Sequence, residues 1–165
     1  MTVIAFDPEW ILRTLADHGV RYVLIGGVAS RLWGSPTVTN DLDICYARDR
    51  ANLDRLARAL RALDARLRGV DAEVPFRLDA ATLERGDHFT FTTSAGNLDV
   101  LGSPAGSRGF EDLVATATWM ELADRRVAVA GLDDLITMKR AAGRPKDRVE
   151  LEILAALRDE QSHLP

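Results

Sequence analysis

The chain has 165 residues, 47% of them hydrophobic and 28% charged, the balance of an ordinary globular protein long enough to bury a core. Its formal net charge of −4 excludes a protein that binds nucleic acid through overall basicity, so a polynucleotide partner needs a local patch. A lone cysteine, Cys45, excludes an internal disulfide and a cysteine-cluster zinc site, and no apolar run approaches the roughly 20 residues of a membrane span.

Met1 to Asp7 lacks the basic start and long apolar stretch of a signal peptide, which points to the cytoplasm. Asp7-Pro8-Glu9 predicts a helix start, with a capping carboxylate before a proline at the first helical position. That helix runs to about His18 and stops at Gly19, burying Trp10 or Ile11 with Leu12 and Leu15. Residues 21–25 read as a buried strand halted by Gly26-Gly27, and Val28 to Trp33 as a short helix broken by Gly34-Ser35-Pro36. Residues 41–46 form a second strand.

Asp49 caps a long helix through about Arg68, with Leu53, Leu56, Leu60, Leu63 and Leu67 as its apolar stripe. Arg50, Arg55, Arg58, Arg61, Arg66 and Arg68 lie off that stripe. They read either as a solvated face, since Asp49, Asp54 and Asp64 dilute them, or as a track for an RNA backbone. Residues 79–85 suggest a helical turn, 88–93 and 97–101 a hairpin about Ser94-Ala95-Gly96, and 117–122 with 126–130 a second hairpin. Helices over 132–142 and 146–159, separated by Gly143-Arg144-Pro145, complete a mixed α/β (α+β) chain with a small sheet and a helical C-terminal end. We read residues 1–165 as one domain, an α/β core over 1–130 with C-terminal helices packed on it over 131–165.

The chemistry concentrates in three carboxylates. In Asp41-Leu42-Asp43-Ile44 the two acids project from one strand face, and Asn97-Leu98-Asp99-Val100-Leu101 repeats the pattern. An acid set in an apolar run needs a cation or a proton, and paired carboxylates suit a hard divalent ion. Upstream, Gly26 and Gly27 stand between strand and helix, where backbone N–H groups can approach a phosphate. Lys139 and Lys146 are the two lysines of the chain; Lys139 either reaches a triphosphate as a point charge or is a helix-end cation favoured by the dipole. His88 opens the strand before that of Asp99, while Trp33 and Trp119 either stack on a base or fill the core.

Leu24-Ile25-Gly26-Gly27, then thirteen residues, then Asp41-Leu42-Asp43-Ile44, resembles the signature of the DNA polymerase beta-type nucleotidyltransferase superfamily, with Asp99 in the place of its third carboxylate. The segment Leu135 to Asp147 resembles small bacterial nucleotidyltransferases of the abortive-infection, toxin–antitoxin type and relatives of lincosamide-modifying enzymes. Thr37 stands where many relatives carry arginine, and Lys146-Asp147-Arg148-Val149-Glu150 where they often carry K-D-x-x-D.

The resemblance implies a minimal nucleotidyltransferase fold in which Asp41, Asp43 and Asp99 bind Mg²⁺ or Mn²⁺ and catalyse transfer of an NMP from an NTP to a hydroxyl. Gly26, Gly27, Ser30 and Lys139 would hold the nucleotide, and pyrophosphate would leave. The implied acceptors are an RNA or tRNA 3′ end or a small hydroxyl compound, and an antitoxin is an implied partner protein. The alternative is a non-catalytic nucleotide- or partner-binding module that keeps the fold.

Overall fold

The computed structural model describes residues 3–165. Helix α1 (Pro8–Asp17) starts as the sequence predicts: Asp7 Oδ1 accepts from the Trp10 N–H at 3.1 Å, with proline in the first turn. Ile11, Leu12 and Leu15 are buried, whereas Trp10 stays 44% exposed. After β1 (Tyr22–Ile25), α2 (Gly26–Leu32) begins two residues before the predicted Val28, so both glycines belong to its first turn. Strand β2 (Asp41–Tyr46) and α3 (Arg50–Ala62) follow.

The long helix predicted through Arg68 ends instead at Ala62. Asp64 takes a left-handed conformation (φ 51°), and the N–H groups of Asp64 and Ala65 return to the Arg61 and Leu60 carbonyls. That is a Schellman stop, which Asp tolerates better than most residues. Leu63 and Leu67 keep the helical period by coincidence. The chain turns into β3 (Arg66–Leu67), which pairs with Thr92 and Phe91, so Arg66 and Arg68 are not helical.

The remaining elements are α4 (Ala80–Arg85), β4 (His88–Thr93), β5 (Gly96–Leu101), α5 (Phe110–Ala115), β6 (Thr118–Leu122), β7 (Arg125–Val129), α6 (Leu132–Ala142) and α7 (Asp147–Ser162). The sequence reading did not foresee β3 or α5. Both predicted hairpins form, β4–β5 and β6–β7.

Among the described residues, seven strands make one mixed sheet in the order β3-β4-β5-β2-β1-β7-β6, with helices flanking it. At its centre β2 runs parallel to β5, with Asp43 beside Asp99 and Asp41 beside Asn97. Alternation then divides the faces. Leu42, Ile44, Leu98, Val100 and Phe91 share one face and are fully buried, in one core with the Leu53, Leu56 and Leu60 stripe of α3. Asp41, Asp43 and Asp99 occupy the opposite face, where α2 packs on β1 and β2 and α6 packs on α2 and α7. No helix among the described residues is long and apolar enough to cross a membrane.

Candidate active site

The parallel register of β2 and β5 brings together the two acids that are farthest apart in sequence. Asp43 and Asp99 are direct cross-strand partners, close enough to share a side-chain hydrogen bond. Asp41, two residues before Asp43, joins them on the same face and accepts a hydrogen bond from Asn97 Nδ2 at 3.1 Å. Burial, the charges of Asp99 and Asp41 and that hydrogen bond push the Asp43 carboxyl up to about 7, against a smaller downward pull from Arg68.

Arg68, which the sequence reading set on the outer face of the long helix, stands at the carboxylates instead. Its Nη2 donates to the Asp99 carboxylate and to the Phe91 carbonyl, while its buried Nε has no partner. The early end of α3 releases Arg68 into this position, and an acid able to take a left-handed stop at 64 is the one sequence signal that could have revealed it.

Gly26 forms the floor beside Asp43. Its φ is +71°, and a Cβ there would lie 2.2 Å from Asp43 Oδ2, so only glycine lets this carboxylate sit against the start of α2. Gly27 faces Thr39, whose Cβ would be 2.9 Å from an added methyl. Ile25 offers no side-chain acceptor at the N-cap, which leaves the first-turn N–H groups of α2 without a side-chain partner. Ser30 is buried and donates to the Gly26 carbonyl at 3.2 Å.

A cavity of about 440 Å³ opens over Asp43 and Asp99, lined also by Gly26, Ser30, Lys139 and Arg144, with His88 and Asp87 on its wall; Asp41 and Gly27 are absent from its lining. Leu101, Pro104, Leu135 and Met138 supply apolar surface. Another cavity, about 470 Å³, lies among residues 61–78 and includes none of the three carboxylates. The other sequence candidates fall elsewhere. Trp33 is a packing residue, its indole N–H bonded to the Ala130 carbonyl at 2.8 Å. Trp119 is half exposed beneath the Arg126 guanidinium, by a separate cavity, and Cys45 is buried. Lys146 is exposed just before α7 and is absent from the cavity lining.

Three carboxylates, a donor type that hard cations favour, lie on one sheet face, one of them held high in pKa by burial and by its neighbouring acids. As the side chains stand, no group of three or more His, Cys, Asp or Glu among the described residues is placed to hold a metal ion. The cation that Asp99 has is Arg68.

No family model matches the chain, and no curated protein matches it. Solved structures do match its fold. The lincosamide antibiotic adenylyltransferase LnuA, bound to lincomycin, superposes with a TM-score of 0.61 at 14% identity, over 94% of this chain and 99% of that one. The antibiotic-resistance factor ANT(2'')-Ia gives 0.51 at 15% identity over 94% and 93%. A candidate nucleotidyltransferase from Thermotoga maritima gives 0.50 at 15% identity over 97% of each chain. The fold is therefore the nucleotidyltransferase-like one that the sequence resemblance implied.

Proposed function

We propose that this protein is a nucleotidyltransferase that moves an NMP from an NTP to the hydroxyl of a small acceptor and releases pyrophosphate. The observation that carries the reading is the convergence of Asp41, Asp43 and Asp99 on one sheet face beside the open N–H groups of α2. Asp41, Asp43 and Asp99 would hold Mg²⁺ or Mn²⁺, which when bound polarises the phosphoryl group and lowers the pKa of the attacking hydroxyl.

The chain's own groups do the rest. The first-turn N–H groups at Gly26, Gly27 and Val28, with Lys139 across the cavity, receive the β- and γ-phosphates. Asp99 accepts the acceptor's hydroxyl proton. The freed oxygen attacks the α-phosphorus in line; its new P–O bond forms as the bond to the β-phosphate oxygen breaks, and pyrophosphate takes that electron pair. Positioning and charge neutralisation supply most of the acceleration.

A small acceptor is favoured over RNA by the placement of the arginines. None of the α3 arginines, Arg50, Arg55, Arg58 and Arg61, lines the cavity of Asp43 and Asp99, so that row does not continue it as a basic groove. Lincomycin bound to LnuA is a small acceptor on the same fold. The toxin-like reading, with an RNA 3′ end as acceptor and an antitoxin partner, is the competing outcome. The test supplies α-labelled NTPs and Mg²⁺ with a panel of small hydroxyl compounds, aminoglycosides and lincosamides included, and with total RNA. Label on a small compound supports the proposal, and label on RNA alone replaces the acceptor class. No transfer, with no NTP binding, leaves the non-catalytic module.

A further inference from the structure

Helix α7 was read from sequence as C-terminal packing, but its first turns bury two carboxylates. Asp147 and Glu150 are 4% and 5% exposed, and they lie three apart on one helix face. A buried acid requires partners, and the partners identify what each one does. Asp147 Oδ2 accepts from Arg144 Nε at 2.9 Å, and its Oδ1 accepts from Arg144 Nη2 and Lys139 Nζ, each at 3.4 Å. Glu150 instead accepts from the Ser35 hydroxyl at 3.0 Å and from the Thr37 hydroxyl, on the segment leading into β2.

The two cations on Asp147 are the two that line the cavity of Asp43 and Asp99. One carboxylate against two cations leaves one positive charge in surplus. It also leaves donors free: an ammonium has three N–H groups and a guanidinium five, and Asp147 engages one of the first and two of the second. Long basic side chains lose rotamer freedom when fixed, and a buried anchor removes that cost before a ligand arrives. Burial raises the Asp147 pKa, but the Arg144 hydrogen bond and the two cationic charges more than offset it, so the carboxyl stays ionised.

We infer that Asp147 is a positioning residue that presets Lys139 and Arg144 as a cationic clamp for the polyphosphate of the nucleotide. This rests on the nucleotidyl-transfer reading of the same cavity. The clamp acts through its two cations and does not touch the reacting atoms.

The experiment measures binding of Mg²⁺ with a non-hydrolysable NTP analogue, and of pyrophosphate, by calorimetry. The proteins are wild type, Asp147→Asn, Lys139→Ala, the double variant of these two, and Glu150→Gln alone and combined with Lys139→Ala, each with its melting temperature. Asp147→Asn is expected to weaken both ligands about tenfold, and to raise KM for NTP more than it lowers kcat. In the double variant the losses should not add, because Asp147 works through Lys139. Glu150→Gln removes a buried acid from the same helix without touching the cations, so its loss should add to that of Lys139→Ala. Additive losses for Asp147 and Lys139, or unchanged affinity in a folded Asp147→Asn, overturn the inference. If Asp147→Asn does not fold, Arg144→Gln combined with Lys139→Ala takes its place, and full affinity in that variant also overturns it. Absence of nucleotide binding in wild type would instead sink the nucleotidyl-transfer reading itself.

Discussion

Arg68 donates to the carboxylate of Asp99, which shares a hydrogen bond with Asp43, so one guanidinium stands at the end of a chain of acids. Arg68 also lowers the Asp43 pKa across this contact. Replacing it with Met keeps the length and removes the charge. Arg68→Met should cost about 1.5–3 kcal/mol, the range for losing a hydrogen bond to a charged group. It should also move the pH at which metal-free stability levels off upward, because Asp43 then holds its proton to higher pH. Melting temperatures from pH 5 to pH 9 check this, and an unshifted profile would show that Arg68 does not act on the pair.

The sign for Asp43 itself follows from linkage. Its pKa is raised by burial and by its neighbouring acids to about 7, so the folded protein binds a proton that the unfolded chain has released. Stability should be highest below the ordinary carboxylate pKa, fall as pH rises toward 7, and level off above it. Asp43→Asn should flatten that fall and melt higher than wild type at pH 8 without metal, while transfer activity drops by several orders of magnitude. Mg²⁺ should raise the wild-type melting temperature at pH 8 and leave the variant largely unaffected. A variant that melts lower than wild type at pH 8 would mean that the charge of Asp43 stabilises the fold.

Gly26→Ala is expected to damage the site and the fold together. The added methyl meets Asp43 Oδ2 at 2.2 Å in a left-handed backbone, so the carboxylate must move and the helix start is strained. Gly27→Ala meets the side chain of Thr39 in a backbone without positive φ, and should be the milder change. Chemical denaturation with nucleotide titration separates the two effects. Equal stability for both variants would show that the left-handed turn at Gly26 carries no strain.

The carboxylates were legible because acids at period two inside apolar strands break the one pattern that a buried strand otherwise keeps. Asp41, Asp43 and Asp99 all stand out in that way, and the element boundaries from Pro8 to Tyr46 follow from caps and breakers, apart from the start of α2 at Gly26. Arg68 was hidden because Leu53 to Leu67 hold an unbroken helical period, and only the local turn at Asp64 diverts the chain into β3. The Lys146–Glu150 pattern marked Asp147 and Glu150, but their burial was hidden for another reason. On an amphipathic helix an acid reads as solvent-facing, and the Ser35 hydroxyl that satisfies Glu150 lies 115 residues away.

The placement of α3 gives a final expectation that separates the two acceptor classes. Arg58 is exposed on that helix and is absent from the lining of the cavity over Asp43 and Asp99. An RNA acceptor that tracked the helix would lose affinity on charge reversal there, and its binding would become less sensitive to salt. A small acceptor confined to the 440 Å³ cavity would not register the change. Arg58→Glu should therefore leave label transfer from NTP unchanged at low and at high salt, with stability within about 0.5 kcal/mol of wild type. Transfer rates at two ionic strengths, with melting curves, decide it. A fall in transfer that is confined to low salt would return the arginine row to the acceptor path and RNA to the acceptor's place.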